Sequence, residues 1–429
     1  MHTDYKQYFE FIKTKFNQSE KKYQTIFPKG SNPESFLMMY EEMNVYPTFP
    51  RPIVLPLKDE SEQFIETTKF SLEKIDSMQS LVDDKLVEFD GRLKEYQRYL
   101  ELAKIPANTE KIRRYFDYEI RDTIQQRYHI ANVTNGWVKM YELLNTFELL
   151  NKQNQINSFH VCEHPGKFVF AIKDYIKRTA MSNNHQFVFQ SLNPQHAKNK
   201  NAFKVDKILA NDPNGILDYG SKKTGDITDP DNIRYYIKTY KNRNFQLITS
   251  DCGEDYSKDF TKQETGLYPL YLSAFIIAIG LAHAKTNYVF KLFSFAKIQT
   301  ICLLYYACKC FKKVYIVRLM TTKGNSGENY CVCLDFNYPE TDKENLIDKL
   351  LSYLLDLNST PCDRFDEKFI DRINKYHDLL SMRRIVSINY LIFRMLNKLY
   401  LKNNNEVMEL AKKYVDYYTQ YFLHYIKFD

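Results

Sequence analysis

The chain has 429 residues, of which 44% are apolar, and a formal net charge of +7. That apolar share can bury a full core, which excludes a disordered chain and leaves room for two or three domains, or one large domain with helical additions. The modest basic excess permits an RNA or DNA partner through local patches without requiring one.

The eight cysteines (162, 252, 302, 308, 310, 331, 333 and 362) contain no C-x-x-C pair, and several lie in apolar runs. Reduced, buried thiols in a cytosolic setting are expected, with no disulfide framework and no metal site. The opening Met1-His-Thr-Asp-Tyr-Lys is polar, unlike a signal peptide, and the most apolar stretch, Leu267 to Ala284, is interrupted by Pro269. It reads as a core helix, so no membrane partner is expected.

Residues 1–58 read as a helix followed by an extended arm. Tyr46-Pro-Thr-Phe-Pro-Arg-Pro-Ile-Val-Leu-Pro56 carries four prolines, and such a segment is expected to run as a polyproline-like strap over a surface. From 60 to 104, Leu72, Ile75, Met78, Val82, Leu86, Phe89, Leu93, Tyr96 and Leu100 recur in steps of three and four. That spacing predicts an amphipathic helix packed on the main domain, with a dimerising coil as the alternative. A second helix over roughly 109–128 is rich in basic residues.

Residues 130–336 alternate strand and helix patterns. The expected strands are Phe159–Cys162, Gln186–Leu192, Phe245–Asp251, Tyr288–Phe293, Val314–Leu319 and Tyr330–Phe336. Helical stretches between most of them predict a mostly parallel, doubly wound sheet of Rossmann-like α/β class. After 340 the pattern returns to helix, over 367–402 and 405–425, with Arg383, Arg384 and Lys398 among apolar neighbours.

Two of the strands end on charge. Phe245-Gln-Leu-Ile-Thr-Ser-Asp251 stops on a carboxylate, and Asn287-Tyr-Val-Phe-Lys291-Leu-Phe293 carries a lysine at the corresponding place. Open α/β sheets bind ligands at the carboxyl ends of their strands, so Asp251 and Lys291 are expected to face one crevice. The first strand leads into Val161-Cys162-Glu163-His164-Pro165-Gly166-Lys167-Phe168, a strand, tight turn and helix suited to a nucleotide-like ligand. With 12 glycines the chain has neither G-x-G-x-x-G nor a Walker loop, which disfavours a dinucleotide dehydrogenase and any site that cradles a pyrophosphate. Glu163 beside the turn suits a ligand that carries an amine or a positive charge.

Cys-Glu-x-Pro-Gly-x-Phe resembles motif I of the FtsJ-like S-adenosylmethionine-dependent ribose 2′-O-methyltransferases. The resemblance extends in order along some 200 residues. Asn135-Gly-Trp-Val-Lys139-Met-Tyr-Glu-Leu-Leu is similar to the segment with the family's first catalytic lysine, and Thr224-Gly-Asp226-Ile to the acidic motif that contacts adenine. Thr249-Ser-Asp251, Phe290-Lys291-Leu-Phe and the segment Thr321 to Cys333, which contains Glu328, resemble the remaining motifs. The wording is most like the Adrift-type mRNA cap methyltransferases and their relatives in large cytoplasmic DNA viruses, the Asn135 segment especially like the viral members.

The resemblance implies a catalytic tetrad of Lys139, Asp251, Lys291 and Glu328. It implies S-adenosylmethionine as cofactor, held by Cys162, Glu163, Pro165, Gly166, Phe168, Asp226 and Asp251. The implied substrate is RNA, capped mRNA above all, with capping or transcription machinery as a possible partner. The implied compartment is the cytoplasm, or host cytoplasm or virion for a viral chain. Ribosomal or transfer RNA is the alternative substrate, and an inactive methyltransferase-like scaffold the non-enzymatic one. Lys291 is expected to take the 2′-hydroxyl proton, its pKa lowered by burial and by Lys139 against the opposition of Asp251 and Glu328. The chain departs from the family at His164 and Lys167, where small residues are usual, at Cys252 before Gly253, and in the displaced Ser326-Gly327-Glu328. The expected organisation is a helical region over 1–125 with the proline-rich arm, the methyltransferase domain over 126–340 and a helical region over 341–429.

Overall fold

The computed structural model describes residues 52–102, 117–131, 133–182, 184–199, 202–256, 259–323, 325–400, 419–420 and 422–428. The helix expected at the N terminus, the arm up to residue 51, the start of the helix expected over 109–128 and most of the helix expected over 405–425 lie outside those residues. The described strands are β1 (Ile53–Lys58), β2 (Ile156–Val161), β3 (His185–Gln190), β4 (Gly215–Asp218), β5 (Leu247–Ser250), β6 (Asn287–Leu292), β7 (Phe311–Arg318) and β8 (Asn329–Phe336). They form one eight-stranded sheet in the order β1-β7-β8-β6-β5-β2-β3-β4.

β4, β3, β2, β5 and β6 are parallel neighbours, and β8 inserts antiparallel between β6 and β7. Helices α1 (Glu73–Leu102) and α2 (Asp117–Tyr128) follow β1, and α3 (Asn135–Phe147) leads into β2. Between the strands lie α4 (Lys167–Thr179), α5 (Lys207–Ala210), α6 (Pro230–Tyr240), α7 (Gln263–Leu281) and α8 (Ile298–Cys310), and after β8 come α9 (Glu340–Leu355) and α10 (Glu367–Tyr400). The mostly parallel, doubly wound architecture read from the alternation is present.

Side-chain alternation along the strands decides which helices meet which face. On β6, Tyr288, Phe290 and Leu292 enter the core beneath α6, α7, α8 and α9. Val289 enters the opposite core, with Trp137, Val138 and Leu144 of α3 and Ile172 and Ile176 of α4. Lys291, two residues on from Val289, therefore belongs to the α3 face. On that face of β2, Ser158 and His160 form a buried chain of hydrogen bonds with Thr249 and His185. This polar layer gave no sign in the sequence beyond polar residues at alternate positions.

The apolar stretch around Pro269 is the core helix expected. The one segment among the described residues that is long and apolar enough to cross a membrane, Phe260–Leu281, is 78% buried within the fold. All-round apolarity in α7 reflects packing between the sheet and α6, α8 and α9.

Two expectations need correction. The end of the proline-rich arm is not a polyproline strap, because Ile53–Lys58 pairs antiparallel with β7. Pro56 is tolerated because β1 is the edge strand and its register shifts between Pro56 and Lys58, the edge and bulge positions where a missing N–H does least harm. The short strand β4 was not anticipated either; its Gly215-Ile-Leu-Asp218 is too brief to show a period.

The seam of α1 is covered within the chain. Ile75, Val82 and Phe89, seven residues apart, are buried, and α1 lies along α10, with Lys74 paired to Asp378. Helix α10 in turn fixes β1, since Tyr376 donates to Pro56 O at 2.8 Å and Arg372 to Leu57 O at 2.9 Å. Phe89 is 3% exposed, and truncating a phenylalanine so buried costs about 3–5 kcal/mol. Phe89→Ala is therefore expected to lower the urea midpoint by that equivalent at an unchanged m-value, checked by equilibrium unfolding.

Candidate active site

The sequence gives α3 a clear start: Thr134 accepts the Trp137 N–H at 3.3 Å as the N-cap. Trp137, Val138, Met140, Tyr141, Leu143 and Leu144 then bury against the sheet, which leaves Lys139 and Glu142, one turn apart, on the side facing the β7–β8 loop. Lys139 Nζ meets Glu328 Oε1 at 2.5 Å. Lys291 Nζ reaches Asp251 Oδ1 and the Asp251 carbonyl, each at 3.0 Å. The neighbouring strands β5 and β6 thus bring Asp251 and Lys291 into one crevice, as the matching strand ends suggested.

The charge balance corrects one expectation. Burial would lower the Lys291 pKa, but Asp251, Glu328 and the more distant Glu163 outweigh it, and the net shift is upward. The Lys139 ammonium is paired with Glu328. Burial acts to raise the Glu328 pKa, yet Lys139 and Lys291 together hold its carboxyl below the ordinary value. Lys291 in the free site is an ammonium. Gly253 keeps room for it, since a Cβ there would stand 2.9 Å from Lys291 Nζ.

The turn after β2 is built around Glu163. It contains a cis His164–Pro165 peptide, and Gly166 has φ +105, a conformation that favours glycine. Gly166 has no side chain with which to cap α4, so Glu163 Oε1 does so by accepting the N–H groups of Phe168 at 2.7 Å and Val169 at 3.2 Å. The other oxygen, Oε2, is buried and has no hydrogen-bond partner among the described residues. Burial, together with the Asp251 charge, raises the Glu163 pKa well above normal. The Phe168 side chain is 1% exposed and belongs to the core, so only its backbone N–H takes part in the turn.

Gln190 joins the strand ends, and the sequence reading missed it. Its Oε1 accepts the Cys162 N–H at 3.2 Å, and its Nε2 donates to Gly225 O at 2.5 Å. This sets the Asp226 loop beside the turn after β2, and Asp226 Oδ1 accepts from Thr228 N and Oγ1. The signal that singled out Asp251, a polar residue closing an apolar strand, applies equally to Gln190. Glu142 was likewise unassigned. Fully buried, it accepts Met320 N at 2.8 Å and Thr321 Oγ1 at 3.0 Å, which ties the loop carrying Glu328 to α3.

The departures at His164 and Lys167 are absorbed by the chain itself. His164 Nδ1 donates to Phe203 O at 2.8 Å, and Lys167 pairs with Asp206 at 3.5 Å. The expectation for Cys162 and Cys252 is overturned, because they form a disulfide with Cα atoms 5.0 Å apart. Both follow the ends of adjacent strands, β2 and β5, and adjacency across the sheet is invisible in a spacing of 90 residues.

Residues 132–336 match the FtsJ-like methyltransferase family. The chain is 30% identical over 245 residues to the zebrafish (Danio rerio) protein named cap-specific mRNA (nucleoside-2'-O-)-methyltransferase 2, covering 54% of this chain and 33% of that one. The Drosophila melanogaster protein of the same name is 25% identical over 269 residues, covering 60% and 37%. An African swine fever virus protein named as a probable methyltransferase is 24% identical over 301 residues, covering 68% of each chain. The chain thus spans about a third of the length of the two animal relatives.

The methyl donor of FtsJ-like methyltransferases is S-adenosylmethionine. The crevice beside the Glu163 turn fits it on one observation above all. Among the described residues Glu163 Oε2 is a buried acceptor without a donor, and a cationic amine is the group that would satisfy it while offsetting the charge of Asp251.

Two outcomes are expected. Burial pushes Glu142 up to about 7, so the folded state holds a proton that the unfolded chain releases near 4.5, and the resulting stability is present below pH 4.5 and lost as pH rises through 7. Relative to Glu142→Gln, the wild-type protein should lose on the order of 1 kcal/mol of unfolding free energy between pH 6 and 8; a constant difference would refute this. Mass spectrometry after alkylation of unreduced protein should find Cys162 and Cys252 unmodified, and modified once reductant is present.

Proposed function

We propose that this chain is an S-adenosylmethionine-dependent RNA ribose 2′-O-methyltransferase that acts on cap-proximal nucleotides of mRNA. The observation that carries the reading is the meeting of Lys139, Asp251, Lys291 and Glu328, from four separate segments, as two ion pairs beside the Glu163 turn. The cap methyltransferases among its relatives support mRNA as the substrate.

Bound cofactor supplies an electrophilic methyl group on a sulfonium. The residues that would hold it are Glu163, through Oε2, with Cys162, Pro165, Gly166, the Phe168 backbone, Asp226 and Asp251 around it. Lys291 has three N–H donors, and Asp251 accepts from it at two atoms. Once one ammonium proton has been lost to solvent, the two remaining N–H groups would stay on Asp251 and the amine lone pair would face the ribose 2′-hydroxyl, orienting it for in-line attack.

The upward shift of Lys291 depends on carboxylates that a cationic ligand would engage. Occupancy beside Glu163 and Asp251, with RNA excluding water, would lower the lysine pKa towards a value at which it can take the hydroxyl proton. Glu328, anchored by Lys139, would hold the Lys291 side chain in position. In this reading residues 126–340 form the catalytic domain, flanking helices hold RNA phosphates, and the enzyme works with capping machinery in the cytoplasm.

The test is methyl transfer from labelled S-adenosylmethionine to matched capped and uncapped RNAs. Cap-dependent label at a ribose 2′-oxygen is expected, with Lys291→Ala lowering the rate by about a hundredfold or more. Equal labelling of uncapped RNA would exclude the cap-proximal substrate, and near-normal turnover in the variant would exclude Lys291 as proton acceptor.

A further inference from the structure

The loop that presents Glu328 has to hold a carboxylate against Lys139 and within reach of Lys291, and its described residues between Leu319 and Glu328 form no strand ladder. Side chains from elsewhere support it. Glu142 holds its start, as described. Arg318, at the end of β7, donates from Nη1 to Ser326 O at 3.0 Å and Glu328 O at 3.3 Å, and from Nη2 to Lys323 O at 2.9 Å. The third support comes from far along the chain: Arg384 of α10 donates from Nε to Asn325 O at 3.0 Å.

Arg384 also packs on the residue before the catalytic carboxylate. A Cβ on Gly327 would stand 3.1 Å from Arg384 Nη1 and 3.0 Å from Phe293 O, so this peptide is held between the guanidinium and the segment after β6. The Gly327 carbonyl accepts Asn329 Nδ2 at 2.9 Å. Burial lowers the Arg384 pKa to about 10 against the opposing charge of Asp83 of α1, which leaves the guanidinium charged at neutral pH. A guanidinium presents rigid, planar donors and stays charged when partly buried, so it is suited to fixing a loop that lacks its own hydrogen-bond ladder.

We propose that Arg384 is a positioning residue for methyl transfer, holding the Asn325–Glu328 segment so that the Glu328 carboxylate stays registered on Lys139 and Lys291. The inference rests on the methyltransferase reading of this site. It assigns a part in the reaction to α10, which lies beyond the residues that match the family, and through α10 to its partner α1.

The experiment is a double-mutant cycle on the full chain, using single-turnover methyl transfer to capped RNA. Arg384→Met keeps the apolar stem and removes the donors, Arg384→Lys keeps the charge with one donor nitrogen in place of the planar three, and each is combined with Glu328→Gln. Arg384→Met should lower the rate about tenfold to a hundredfold, with S-adenosylmethionine affinity within about twofold of wild type, and Arg384→Lys should restore part of the loss. In the Glu328→Gln background neither substitution should cause a further loss, because the group being positioned is already gone. Additive losses, or an unchanged rate in the single variants, would overturn the proposal. A loss accompanied by a salt dependence of RNA affinity shallower by about 0.7 would overturn it in favour of a phosphate contact. Wild-type protein that methylates none of the RNAs would refute the methyltransferase reading itself, an outcome distinct from active wild type with an indifferent Arg384.

Discussion

Four charged side chains gathered at the carboxyl edge of one sheet are the constraint around which the rest of this structure is arranged. Lys139 with Glu328 and Lys291 with Asp251 are mostly shielded from water, and leaving either charge of such a buried pair without its partner costs about 3–5 kcal/mol. Each side chain must therefore be delivered to a fixed place by a rigid element. Helix α3 brings the first lysine, parallel strands β5 and β6 bring the aspartate and the second lysine, and a supported loop brings the glutamate. The alternation that sends Val289 into the α3 core also sends Lys291 to the same side.

The charges are balanced but not interchangeable. Lys291 carries two bonds to one residue and is held up by carboxylates on several sides, so its protonation state depends on what occupies the neighbouring space. Glu163 responds in the opposite sense: it is buried, half satisfied and repelled by Asp251. A positively charged ligand would relieve both conditions. The unsatisfied Glu163 carboxyl is thus the point in the site where a positive charge would be most stabilising, which agrees with the sulfonium donor of the proposed function.

Regions outside the family match are integrated with the sheet rather than appended to it. β1 extends the sheet on the side of β7, α10 clasps β1 and α1, and Arg384 reaches the loop beside Glu328. Residues 422–428 close the face under α3, where Phe428 packs against Trp137 and Tyr141. The stability of the sheet edge that carries the charged cluster therefore depends on segments widely separated along the chain.

Much of this was legible in the sequence. Apolar runs ending on Asp251 and Lys291, a strand-turn-helix with Glu163, and a seven-residue apolar repeat in α1 report local periodicity and strand termination, which a linear chain encodes directly. What the sequence left open had a common cause, dependence on which segments become neighbours. The Cys162–Cys252 pairing requires β2 beside β5, β1 exists because β7 offers an edge, and Gln190 acquires its role because β3 ends next to the Cys162 and Gly225 backbones. The direction of the Lys291 shift belongs to the same group: the sequence supplied the opposing charges, and only the distance of 3.0 Å to Asp251 and the approach of Glu328 decided the balance. Composition and period determined the elements and the chemistry they carry; tertiary structure decided the contacts, because hydrogen bonding and Coulomb energy depend on separation in space, which the order of residues does not contain.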